Sequence, residues 1–181
     1  MQKVVGICVL AMGVCLVAKP VVTKAQATAA PVASGPAAEV QRSYAGAKKN
    51  ILKSADEMPA ENYSYKPEPD IRTYARVLTH IIEAQFGSCG TANGVKEITK
   101  APAETADKAT IVAALNASFE ECDKAMAALT DANALEMVTA GQRKRSRIGL
   151  MWGTVAHDQE QYATLALYLR LKGLTPPSSE K

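Results

Sequence analysis

The chain carries two histidines, His80 and His157, and the second is followed four residues later by Gln161. Residues four apart stand above one another on a helix. Two imidazoles at that spacing can hold one metal ion, and a third from a neighbouring helix completes a site with an open position. Here the i, i+4 partner is an amide. Its carbonyl oxygen is neutral and hard, a poor replacement for imidazole on zinc. On spacing alone the plainer reading is two polar residues on a wetted helix face. A helical-wheel count places His80 on an edge with Thr73, Val77 and Ala84, and His157 on one with Leu150, Gln161 and Tyr168. Neither edge is the centre of its helix's apolar stripe. Each histidine therefore belongs to a solvent face, or to a second face that another helix or a cleft covers.

Other chemistries find less support. There is no Gly-rich phosphate loop, no serine framed as a nucleophile elbow, and no CxxC pair. The run "GQRKRSR" at Gly141–Arg147 reads as a solvated start of the fourth helix. Its cations stand at the end where the helix dipole disfavours them, so local partners are expected, with Asp131 and Glu136 as candidates. "ENYSYKPEPD" reads as a structured loop that packs Tyr63 and Tyr65. No general base is evident, because the wheel turns Asp158 and Glu160 away from His157.

The elements that must position these residues are helical. Four stretches step by three and four. They are Val40–Tyr44–Ala47–Ile51–Ala55–Met58, Ile71–Tyr74–Leu78–Ile81 (or Ile82)–Gln85, Ile111–Leu115–Phe119–Cys122–Met126–Leu129, and Ile148–Met151–Val155–Tyr162–Leu165–Leu169. Each lays an apolar stripe along one helix side. No stretch alternates as a strand would, so strands are not expected. Asp70, after Pro67 and Pro69, is the expected N-cap of the second helix, and Gly87 and Gly90 its expected end. The long connector from Gly90 to Lys108 has room for a turn or short helix around "NGVKEITKAP". Gly173 is placed as the C-cap of the fourth helix, with Pro176 and Pro177 beyond it. Four such helices bury their stripes most simply as an all-α four-helix bundle.

The first 27 residues have the layout of a secretory signal peptide: Lys3, an apolar run from Val4 to Ala18, and Ala25-Gln26-Ala27 before Thr28. The alternative is an uncleaved anchor, but the run is shorter than the roughly 20 residues a span needs. "TAAPVASGP", residues 28–36, reads as a flexible tether. Cleavage leaves about 150 residues, one domain, in the periplasm or secreted. The chain holds 21 basic and 18 acidic residues. The leader takes Lys3, Lys19 and Lys24 and no acid with it, so the remainder is near neutral. That composition lacks the basic face of a nucleic-acid binder and offers no basic patch to a membrane. Cys89 and Cys122 are the cysteines left, and in an oxidising compartment they most simply pair. Two buried free thiols are the alternative.

The order of "MPAENYSYKPEPDIRTYARVLTHIIEAQ", "SFEECDKAM" and "GTVAHDQEQYATLALYLRLKGLTPPSS" resembles the DinB/YfiT-like superfamily over Ala37 to Ser179. The most specific pieces are the histidine of "LTHIIEAQ" and the ending "H…QY…YLRLKG…PPSS". The resemblance implies a four-helix bundle over residues 37–179, often a homodimer. It also implies a divalent metal, zinc or nickel, held by three histidines, one from the second helix and two, four apart, from the last. Members act on small molecules as hydrolases or thiol-dependent transferases. Residue by residue, His80 matches the first ligand and His157 the second, while the third position is Gln161. A metal there would activate water as a Lewis acid. Export favours hydrolysis, because cytosolic thiol cosubstrates are scarce outside. The alternative is a non-catalytic binding or stress-response protein that keeps the bundle and has lost the metal site.

Overall fold

The computed structural model describes residues 1–2 and 34–180. The chain divides into Met1–Val32 and Ala33–Lys181, and the second unit holds the helical fold. Beyond its first two residues the expected signal peptide, and most of the tether, lie outside the described residues. Four helices form the body: α1 (Pro36–Glu57), α2 (Tyr74–Ala92), α3 (Lys108–Ala128) and α4 (Arg147–Leu171). The last expected tether residue, Pro36, is instead the first residue of α1, where its missing N–H costs nothing. α2 packs on both α3 and α4, and α1 packs on α4 and α3. The apolar stripes meet in one core that includes Ile51, Tyr74, Leu78, Ile81, Leu115, Phe119, Met151 and Leu165, all at most 1 % exposed. No helix among the described residues is long and apolar enough to cross a membrane.

One departure from the all-helical expectation precedes α4. β1 (Met137–Ala140) and β2 (Arg143–Ser146) form an antiparallel hairpin, with Val138 opposite Arg145. The turn is Gly141-Gln142, with Gly141 at φ 62°, the glycine-first form that two-residue hairpins favour. The basic run is therefore mostly a strand and not the start of a helix. Ser146 caps α4 by accepting from the Gly149 amide at 3.2 Å. Of the two expected acidic partners, Glu136 pairs with Arg147 at 3.3 Å. Asp131 instead accepts from the Ala37 amide at 2.8 Å and so caps the start of α1.

α2 begins at Tyr74, later than the Asp70 cap predicts. The Tyr74 and Ala75 amides donate to the Tyr65 and Tyr63 carbonyls at 2.9 and 2.8 Å, and Thr73 Oγ1 accepts from Arg76 N. The docked tyrosine loop supplies acceptors that the first turn of a helix otherwise lacks, and that sets the start. The same loop closes α1. The Tyr63 hydroxyl donates to the Ala55 carbonyl and the Tyr74 hydroxyl to that of Ser54, while Lys108 Nζ reaches the Met58 carbonyl at 2.9 Å. Tyr63 is buried, as its loop role requires.

α2 runs through Gly87 and Gly90 and ends at Ala92. The Gly94 amide donates to Thr91 and that of Val95 to Gly90. At the end of α4, Gly173 donates to Arg170 and Leu174 to Leu169. Both are Schellman closures, and both put a glycine at positive φ, 74° and 77°. The connector after α2 holds this turn and no helix. Cys89 and Cys122, both fully buried, are joined by a disulfide with Cα atoms 4.9 Å apart, fastening α2 to α3.

Candidate metal centre on the α2–α4 seam

α2 and α4 pack along a second face of each helix, and the two histidines meet there. His80 Nε2 lies 3.2 Å from His157 Nε2, with ring centroids 4.9 Å apart and planes at 68°. Their side chains are 28 % and 24 % exposed, so the pair is reachable from solvent while its rings rest on protein.

Behind each ring stands a carboxylate. His80 Nδ1 is 3.6 Å from Glu83 Oε2, which is itself held by Arg76 at 3.0 Å. His157 Nδ1 is 3.8 Å from Asp158 Oδ1, and these two buried atoms have no hydrogen-bond partner. Asp158 is fully buried. Its Oδ2 accepts from Gln85 Nε2 at 2.9 Å, and Gln85 Oε1 accepts from Ser118 Oγ at 2.7 Å. A polar line thus runs from α3 through α2 to α4 and ends beneath the His157 ring. Burial raises the Asp158 pKa against the pull of His157 and Gln85. Burial also lowers the His80 pKa, aided by the charges of Arg72 and His157. His80 is therefore biased toward the neutral form that a metal requires.

The turning of Asp158 away from His157, expected from the wheel, is corrected. The α4 stripe passes from Val155 to Tyr162 with a turn missing, and Asp158 fills that turn on the buried side. A carboxylate in that gap is the signal that could have found it. Gln85 and Ser118 occupy equivalent places on the stripes of α2 and α3, so three polar residues on three buried faces meet at one level.

Of the three residues expected at a metal, the structure brings His80 and His157 together. Gln161, 7 % exposed, is one turn on from His157. It lines an adjoining pocket of about 390 Å³ with Arg72, Val77 and Tyr168. Two ligands each about 2.1 Å from a tetrahedral ion stand about 3.4 Å apart, close to the imidazole separation seen here. A carboxylate stands on the far-nitrogen side of each ring, where a metal-bound histidine is usually held, though at 3.6 and 3.8 Å neither makes a hydrogen bond. Among the described residues no group of three His, Cys, Asp or Glu side chains is disposed to hold an ion. A third protein donor would therefore be an amide such as Gln161.

Comparison with known proteins bears on the fold that carries this pair. A DinB-like protein from Bacillus cereus ATCC 10987 superposes with a TM-score of 0.63 at 17 % identity, covering 76 % of this chain and 93 % of that one. A DinB-like protein from Bacillus subtilis gives 0.62 at 15 % identity with the same coverages. No curated protein matches the chain. The model of the DinB superfamily matches residues 43–165, a span that takes in both histidines, Gln161, all of α2 and most of α4. With sequence and bundle in agreement, the chain belongs to the DinB superfamily.

Proposed function

We propose that this is an exported, metal-dependent hydrolase of the DinB superfamily, acting on a small molecule. His80 and His157 hold a divalent ion, zinc or nickel, and Gln161 is the third, oxygen donor. The observation that carries the reading is the 3.2 Å approach of the two Nε2 atoms, each backed by a carboxylate on its Nδ1 side. The leader-like start and the disulfide support export. When bound, the ion supplies Lewis-acid activation of water. The chain's own contributions are separate from that. Asp158 stands behind the Nδ1 side of His157 and Glu83 behind that of His80, and the partial burial of both rings limits competing water.

A second reading is favoured by the donor count: with two imidazoles and an amide, the bundle is a non-catalytic binding protein. Metal analysis of the purified protein separates the two. Stoichiometric zinc or nickel in the wild type, lost in His157→Ala, supports the enzyme. A wild type without metal that gains at least tenfold in zinc affinity on Gln161→His supports the binding protein. Absence of metal from both the wild type and Gln161→His removes the metal centre altogether.

A further inference from the structure

The α2–α4 seam continues past His157 toward the hairpin, where Arg145 turns its side chain back over α4. Its Nη2 donates to the Gly149 carbonyl at 2.6 Å. The guanidinium lies against Gly153, where a Cβ would stand 2.9 Å from Nη1 and 3.0 Å from Nη2. A side chain at position 153 would push the guanidinium out of that place. His157 is one turn farther along the same face of α4. Between the guanidinium and the imidazole is a pocket of about 180 Å³, lined also by Ala84, Leu150, Ser88 and Thr154.

The donors of this pocket are unequal. Thr154 Oγ1 donates to Ser88 Oγ, and Ser88 Oγ donates to the Ala84 carbonyl, so both hydroxyl protons are engaged. Arg147, two residues on, is taken by Glu136 and the Ala92 carbonyl. Arg145 has no carboxylate partner among the described residues, unlike Arg76, which pairs with Glu83, and Arg147, which pairs with Glu136. A cation on β2 held against α4, with donors to spare beside the histidine pair, is arranged to receive an anion.

We propose that this pocket takes the carboxylate of a short-chain organic acid, with Arg145 as its counter-ion and the rest of the molecule turned toward His157. Its meaning as a substrate site rests on the metal-centred reading above. A planar guanidinium matches a carboxylate through paired N–H donors. Size limits the chain, since a cavity of about 150 Å³ holds a benzene-sized molecule. The apolar lining from Ala84, Leu150 and Gly153 suits a short alkyl segment.

The test uses butyrate and its neutral counterpart butyramide, titrated calorimetrically into protein stripped of metal by chelator. Butyrate is expected to bind, and butyramide to bind at least tenfold more weakly. Arg145→Gln should cost butyrate at least tenfold, while Arg143→Gln, exposed on the same strand, should leave it unchanged. Gly153→Ala, which displaces the guanidinium without removing it, should give a similar loss. Equal binding of butyrate and butyramide, or wild-type affinity in a folded Arg145→Gln, overturns the proposal. Inorganic phosphate binding as tightly as butyrate overturns the carboxylate class. Metal content is read separately, so a chain that holds metal but not butyrate fails this inference alone. A chain that binds butyrate through Arg145 but never holds metal fails the earlier reading alone.

Discussion

Asp158 occupies a place on α4 that an aliphatic side chain would fill in an ordinary bundle, and it is fully buried there. Burying a carboxylate is costly unless its oxygens are matched. One oxygen is matched by Gln85, and the other faces only the His157 Nδ1 at 3.8 Å. The arrangement costs stability and places a carboxylate against one ring. Asp158→Ala is accordingly expected to lower zinc affinity 10–100-fold, the usual loss when a carboxylate behind a metal-bound histidine is removed. Competition with a chelating dye reads that change; unaltered affinity in a folded variant would mean that packing alone orients His157. The same variant should lose about 1–3 kcal/mol in urea unfolding, because the buried Gln85 amide loses its acceptor. Relief of a desolvated carboxylate offsets part of that loss without reversing it. At this scale the sequence was half legible. His80 and His157 could be chosen from their types and matching positions. Asp158 was hidden because a wheel centred on His157 asks which residues share its face, whereas Asp158 acts from the neighbouring face, beneath the ring.

The helices were readable because each buries one continuous stripe, and period is a strong signal over some twenty residues. Their limits were less readable, because tertiary partners set them. α2 starts where the tyrosine loop offers carbonyls to Tyr74 and Ala75, which Asp70 gives no hint of. The hairpin was missed for a different reason. Each strand has four residues, and β2 is "RKRS", with no apolar alternation to detect. Only Gly141 and the β-branched Val138 and Thr139 marked it. Closure by glycine is the boundary that sequence did locate at Gly173, and it can be tested against a glycine with no such duty. Gly46 lies exposed within α1, and a Cβ there meets nothing within 4 Å. Gly46→Ala should therefore stabilise the fold by about 0.5–1 kcal/mol. Gly173→Ala should destabilise it by about 1–2 kcal/mol, since an L side chain must then adopt φ 77°. Urea midpoints of the two variants moving in the same direction would contradict this account of how α4 ends.

At the scale of the whole fold, a disulfide between described residues ties the first half of the chain to the second. Cys89 and Cys122 are 33 residues apart, and between them lies the long connector from α2 to α3. Closing a loop of that size restricts the unfolded chain by about 3–4 kcal/mol in the entropic model, a large share of the roughly 5–15 kcal/mol that holds a domain folded. Sequence pointed to the pair through compartment, and the buried positions of both residues on facing stripes allow it. Replacing both cysteines by alanine should lower the urea midpoint by an amount worth about 3–4 kcal/mol, and should raise the slope as the unfolded chain exposes more surface. Intact protein denatured without reductant should show no free thiol from this pair; two would refute the bond. The metal readout should respond differently. His80 and His157 lie on the α2–α4 seam, while the disulfide ties α2 to α3. A double variant that stays folded under native conditions should keep its metal stoichiometry while losing stability. Loss of both together, well below the unfolding midpoint, would show that the α2–α3 tie also sets the register of α2 against α4.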